Sequence, residues 1–251
     1  MIETTVIDAL YTGRRNSAKP VGVEQVQFGI DEALDAQLRV LRRFEADGEQ
    51  LGGWKVGLTS GKARDRMGKD FRPFGYILRR RILSSAAAVP LAKILNCHLE
   101  PELCLIIGSP LRGDAIGPAE AKAAVRAVAP AFEINEVRVQ ADLGQTLLLA
   151  DGLAQWGIVV GPEAPVRDGL IHTTVDFSRD GKIVETKTPG ETMDDPYLSL
   201  SRLCRLLHQY GFGLEPGQPV ITGSFCHHAI TQPGVYRANF SNIGEVTVTF
   251  S

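Results

Sequence analysis

Between residues 31 and 44 the apolar side chains Leu34, Leu38, Leu41 and Phe44 recur at helical spacing, with Arg39, Arg42 and Arg43 on the other side. That period predicts an amphipathic helix with one buried face. After the break at Gly52-Gly53, residues 54–58 read as a short strand. Residues 59–81 keep no period and mix Gly, Lys, Arg, Asp and Pro around Pro73-Phe74-Gly75, the composition of a long functional loop or lid. Further on, apolar runs predict strands over 99–108, 131–139 and 158–160, an Ala-rich helix opened by a proline over 118–128, and a helix over 143–155. The C-terminal half turns to β, with strands expected over 170–177, 183–186, 219–222, 236–240 and 246–250. One helix interrupts them over 197–210, its Leu200, Leu203, Leu206 and Leu207 facing inward. There is no repeat, low-complexity tract or linker. The pattern predicts an α+β protein: a helical N-terminal part with the lid-like segment over 1–80, packed on a mixed β-roll over 81–251.

Composition narrows the classes of function. In 251 residues, 44% hydrophobic, there is enough apolar material for a core without disulfides or a structural metal. Lys+Arg number 27 against 29 Asp+Glu, a formal charge of −2, so no basic field addresses nucleic acid or an anionic membrane. A small-molecule partner is expected. No apolar run approaches a membrane span, and Met1-Ile2-Glu3-Thr4-Thr5 carries an acid where a secretory signal would place Lys or Arg, so the protein is expected to be cytoplasmic. Cys97, Cys104, Cys204 and Cys226 form no CxxC pair and are expected as reduced, buried thiols.

Familiar motifs are absent. Gly57-Leu-Thr-Ser-Gly61-Lys62-Ala63 is one residue short of a phosphate loop and puts Ala63 where a magnesium-holding Ser or Thr belongs. The glycines of 211–217 have the wrong spacing for a dinucleotide fingerprint, and HExxH and GxSxG do not occur. His227 and His228, as neighbours on a strand, would point to opposite faces and cannot hold one metal together. Ser224 reads as a loop serine that bonds locally or to a ligand carboxylate.

Chemistry gathers elsewhere. In Glu100-Pro101-Glu102 the two-residue period of a strand puts both carboxylates on one face with Cys104 and Ile106. Two readings stand: a hydrated strand end, or a pair whose repulsion a divalent cation relieves. Glu133, enclosed by apolar neighbours in Pro130-Ala-Phe-Glu133-Ile134, favours the second. Three such carboxylates would cap Mg²⁺ or Mn²⁺ and leave positions for a bidentate 2-oxo acid. Glu136 and Arg138 are expected to pair on or near the surface. Lys55, between Trp54 and Val56, either projects from a semi-buried strand, suited to proton transfer, or snorkels to water.

With these segments in view, the chain resembles the 2-keto-4-pentenoate (2-hydroxypentadienoate) hydratase family of the fumarylacetoacetate hydrolase superfamily. The resemblance rests on Gly53-Trp-Lys55-Val-Gly57-Leu-Thr-Ser60, Pro73-Phe-Gly75, Leu99-Glu100-Pro-Glu102-Leu103, Pro130-Ala-Phe-Glu133-Ile134, Ala150-Asp151, Val160-Gly161 and Leu214-Glu-Pro-Gly217-Gln-Pro-Val-Ile-Thr222-Gly223-Ser224-Phe225. It implies a fumarylacetoacetase-type β-roll, a divalent metal (Mg²⁺ or Mn²⁺) on Glu100, Glu102 and Glu133, and a catalytic Lys55. It also implies substrate contacts from Phe74, Gly75, Asp151, Thr222 and Ser224, a mobile segment over 59–75, and a homo-oligomer, often a pentamer or decamer. The implied reaction hydrates a 2-hydroxy-2,4-dienoate, through its 2-oxo tautomer, to a 4-hydroxy-2-oxo acid in aromatic catabolism.

The chain departs from the family pattern in places. Pro73 stands where many hydratases carry an Asp, Gly152 where an Asn is common and Cys226 where a Thr is common, while His227 and His228 are additions. A related 4-oxalocrotonate-type decarboxylase is the alternative reaction. An acylpyruvate hydrolase fits less well, because such relatives place an Asp at the Glu133 position and use an N-terminal His-Glu pair. A scaffold that has lost catalysis is the remaining reading.

Overall fold

The computed structural model describes residues 3–139 and 143–251. Two helices open the chain, α1 (Thr4–Asn16) and α2 (Ile30–Ala46). The first strands follow: β1 (Leu51–Val56), β2 (Phe74–Leu78), β3 (Ile82–Ser84), β4 (Ala87–Val89) and β5 (Cys97–Ile107). A short α3 (Pro118–Ala123) leads to β6 (Val125–Glu136), and α4 (Gln145–Ala150) to β7 (Gln155–Val160). The chain continues through β8 (Val175–Arg179), β9 (Lys182–Lys187), α5 (Pro196–Gln209), β10 (Pro219–Ser224), β11 (His228–Ala229), β12 (Gly234–Phe240) and β13 (Gly244–Phe250). The expected α+β class is the one observed. Among the described residues no helix is long and apolar enough to cross a membrane.

The larger sheet runs β2-β1-β10-β5-β6-β7-β3, with β11 added to β5; the smaller runs β4-β13-β12-β8-β9. The larger sheet curls until β2 meets β7. Its concave face is lined by small or slim side chains from five strands, Ile77, Cys104, Ala129, Ala131, Ile158 and Ile221 among them. The period-2 rule puts Leu99, Leu103 and Leu105 on the other face of β5, in the main core. There Phe132 meets Phe177 of the smaller sheet edge-on, ring centroids 6.1 Å apart.

Several expected boundaries move. Phe74–Leu78 is a fully buried strand rather than part of a loop, because an apolar run covered on both faces shows no alternation. Gln37, buried on α2, fixes it: its amide donates to Phe74 O (3.1 Å) and Leu149 O (2.9 Å) and accepts from Tyr76 N (3.3 Å). The helix expected over 118–128 stops at Ala123, and Val125 starts β6, where β-branched residues favour the pleat. The helix expected over 143–155 is only α4. Gly152, Leu153 and Ala154 follow with φ of 78°, 56° and 60° and reverse the chain into β7. Residues 170–172 form a 3₁₀ turn before β8. Helix α1 was not expected, although its buried Val6, Ile7, Leu10 and Tyr11 share one helical face.

Candidate active site

Strand register brings the acids together. Glu100 on β5 stands directly opposite Glu133 on β6, and Glu102 lies two residues along β5. Like charges so placed repel, yet Glu102 is 3% and Glu133 2% exposed. One carboxylate oxygen from each of the three lies within 4.8 Å of the others. Strand β10, beside β5, supplies Gly223, whose N–H donates to Glu102 Oε2 at 2.8 Å. Gly223 holds φ at 147°, and a Cβ there would meet Thr59 Oγ1 at 2.3 Å, so only glycine fits.

Lys55 enters from β1. Trp54 turns away into the core against Phe74 and Phe212, which leaves Lys55 on the concave face, buried. Its Nζ donates to Glu133 Oε1 at 2.5 Å and to Leu153 O at 2.9 Å. The second acceptor is presented by the left-handed turn after α4. Gly75 faces Lys55 across the β1–β2 pair, and a Cβ on it would come within 2.8 Å of the lysine's Cγ. The missing side chain is the room the lysine stem occupies.

Burial raises the proton affinity of Glu102 well above the usual carboxylate range, and the charges of Glu133 and Glu100 raise it further. Burial also lifts Glu133 to about 7 against the pull of Lys55. Glu100 is partly exposed at the rim. Its own burial opposes ionisation, but the hydrogen bond and charge of His227 outweigh that and lower its pKa. The same bond raises His227. His227 Nε2 is in turn 2.5 Å from His98 Nδ1, and Asn135 Nδ2 donates to Glu100 Oε2 at 3.2 Å.

These groups floor a cavity of about 330 Å³. Val137, Val139 and Leu148 form an apolar side, and Thr59, Ser60 and Arg66 come from the segment after β1. That segment is tied down at Asp194, which is fully buried and binds Arg64 (2.8 Å), Arg72 (2.5 Å) and Arg202 (2.6 Å).

Of the residues expected at the site, Lys55, Glu100, Glu102, Glu133 and Ser224 line this cavity. Ser224 Oγ donates to Cys226 O at 2.7 Å, a local bond. The structure does not bring Phe74, Asp151 or Thr222 there. Phe74 is core, and Thr222 Oγ1 donates to Leu103 O at 3.3 Å. Gly75 lies beside the Lys55 stem and does not line the cavity. Asp151 is fully buried and binds Arg138 (2.9 Å), which also binds Glu136 (2.5 Å). The Glu136–Arg138 pair is therefore in the interior, not near the surface, because Asp151 arrives from the end of α4 to balance it. Asn135, His227 and Arg66 were not expected at the site. Asn135 follows Glu133 by two and shares its face, so the strand period could have found it; the other two carry no local signal.

A rolled sheet that presents a lysine and three acids, two of them buried, at the base of one cavity is the arrangement of a small-molecule enzyme, and comparison with known proteins narrows that class. No protein-family model matches the chain. A 4-oxalocrotonate decarboxylase of Pseudomonas sp is 30% identical over 222 residues, 87% of this chain and 86% of that protein. A 2-oxo-hept-4-ene-1,7-dioate hydratase of Escherichia coli is 25% identical, covering 94% of this chain and 92% of its own. Among solved structures, 4-oxalocrotonate decarboxylase from Pseudomonas putida G7, complexed with magnesium and adipate, superposes with a TM-score of 0.89 at 20% identity, over 98% of this chain and 96% of that one. The chain belongs to the family of 4-oxalocrotonate decarboxylases and 2-keto-4-pentenoate hydratases.

Proposed function

We propose that the protein is a divalent-cation-dependent hydratase that adds water to a 2-hydroxy-2,4-dienoate, through its 2-oxo-4-enoate form, to give a 4-hydroxy-2-oxo acid in aromatic catabolism. The observation that carries this reading is the convergence of Glu100, Glu102 and Glu133 within 4.8 Å beside Lys55. Lys55 and the rim His227 cannot balance three ionised carboxylates, and an all-oxygen donor set fits a hard ion such as Mg²⁺ or Mn²⁺. When bound, the ion would polarise the substrate's 2-oxo group and stabilise the negative charge that develops on it.

The chain's own residues do the rest. Lys55, held between Glu133 and Leu153 O, moves the proton of the tautomerisation, and its contact with Glu133 provides a partner for that proton. Gly75 keeps the lysine stem in register. His227 and Asn135 orient Glu100. Val137, Val139 and Leu148 seat the unsaturated tail and keep bulk water from it.

Decarboxylation of a 4-oxalocrotonate-type diacid is the second reading, and Arg66 favours it. This arginine lines the cavity and can meet a substrate's distal carboxylate. The relative at 30% identity is named a decarboxylase. Purified protein with Mg²⁺ or Mn²⁺ should be given dienoates with and without a terminal carboxylate, and the products identified. A 4-hydroxy-2-oxo acid is expected; carbon dioxide release without a hydrated product would overturn hydration in favour of decarboxylation. Absence of both turnover and cation binding would overturn both.

A further inference from the structure

A second cluster of ligating groups lies outside the cavity. Glu185, Cys226 and His228 each place one ligand atom within 4.8 Å of the other two. They come from different parts of the fold. Glu185 is on the edge strand of the smaller sheet, paired with Phe177. Cys226 and His228 belong to the β10–β11 segment, which is pinned to β5 by Phe225 N–Pro101 O (2.9 Å) and Ile230 N–Cys97 O (2.8 Å). The imidazole of His228 is held flat against Phe177, centroids 4.5 Å apart and planes 20° apart. Its Nε2 is buried without a hydrogen-bond partner among the described residues, although Glu185 Oε2 lies 3.0 Å away. Adjacency in sequence puts His227 and His228 on opposite sides, so His227 serves Glu100 while His228 faces this cluster.

We propose that Glu185, Cys226 and His228 form a transition-metal site, selective for Zn²⁺ and its analogue Co²⁺ over Mg²⁺. The thiolate, imidazole and carboxylate set is that of zinc, whose bonds of about 2.0 to 2.3 Å put neighbouring tetrahedral ligands roughly 3.3 to 3.7 Å apart. To reach that value the His228 Nε2–Glu185 Oε2 distance of 3.0 Å would open slightly, and the spacings to Cys226 Sγ, within 4.8 Å, would adjust by side-chain rotation. On binding, the Cys226 thiol releases its proton to solvent and its sulfur bonds the metal, His228 gives the Nε2 lone pair and Glu185 a carboxylate oxygen; the Glu185 side chain is 37% exposed, so a water can reach the cluster to complete the shell. The ion would staple the two sheets together.

The test uses the whole protein in excess Mg²⁺, titrated with Co²⁺ and then Zn²⁺. Expected are a thiolate-to-cobalt charge-transfer band that saturates at one equivalent per chain, its displacement by Zn²⁺, and a higher melting temperature with Zn²⁺. Cys226→Ser should abolish the band and weaken Zn²⁺ at least tenfold. His228→Gln should weaken Zn²⁺ similarly, while Glu102→Gln should leave the band intact. A wild-type protein that gives no band, or a band that survives Cys226→Ser, would overturn the assignment.

Discussion

Replacing Glu102 with Gln separates cation binding from folding, because the two should move in opposite directions. Glu102 is 3% exposed and keeps its Gly223 hydrogen bond through either an acid or an amide oxygen. Without a cation its carboxylate faces those of Glu100 and Glu133 within 4.8 Å. At an effective dielectric near 20, each such repulsion is worth roughly 3 kcal/mol if both groups are ionised. Attraction to Lys55 offsets part of this, and the raised proton affinity of Glu102 removes more. A net relief of about 1 to 2 kcal/mol remains, which for a chain of this size raises the melting temperature of cation-free protein by about 2 to 8 °C. In the same variant one of three charged ligands is gone. Cation affinity should fall at least a hundredfold, and turnover with it. Calorimetric titration with Mn²⁺, thermal melts with and without the ion, and a turnover assay read all three quantities. Wild-type affinity and turnover in Glu102→Gln would refute the carboxylate site. A large loss of cation-free stability would refute the electrostatic reasoning.

Three other perturbations probe the supporting groups. Gly75→Ala puts a methyl 2.8 Å from Lys55 Cγ and should lower kcat about tenfold to a hundredfold, with cation affinity within threefold of wild type; kinetics and titration on one preparation check this. His227→Ala frees Glu100 at the rim and should weaken cation binding about tenfold to a hundredfold with little change in the melting temperature of cation-free protein. Asp151→Ala leaves two interior arginines, Arg14 and Arg138, with the single carboxylate of Glu136 and should destabilise the fold by about 3 to 5 kcal/mol in denaturant titration, with an unchanged KM in the folded fraction. A raised KM in a stable protein would return Asp151 to the substrate.

What the sequence made legible follows the range of each signal. The alternation in β5 sets Leu99, Leu103 and Leu105 against Glu100, Glu102, Cys104 and Ile106, so the shared face of two acids could be read from neighbours alone. That Glu133 joins them depends on the register between β5 and β6, which no local period encodes; its apolar neighbours make it a candidate, and the resemblance to a family implies the full ligand set. Phe74 reads as loop because Pro73 and Gly75 break the pattern, and a strand buried on both faces has no polar stripe to announce it. Charge misled in the same way at Glu136 and Arg138. A charged pair usually marks the surface, and only the return of the chain after α4 brings Asp151 to complete a buried network.

The two buried charge clusters differ in a way that bears on function. Glu136, Arg138 and Asp151 sit close together with their hydrogen bonds mutual, and Arg14 adds a donor to Asp151 O at 2.9 Å. Such a group adds little stability over an apolar core, but its arginines donate to Asp151 O at the start of the left-handed turn whose Leu153 carbonyl meets Lys55. Among the described residues Glu100, Glu102 and Glu133 meet Lys55, His227 and the neutral donors Gly223 N and Asn135 Nδ2, and the concave face beside them carries Ala, Ile and Cys side chains. A core this poor in partners raises the energy of the charged acids until a cation enters. Polar residues added nearby to satisfy them would steady the cation-free fold and, by the same amount, weaken the pull on the ion.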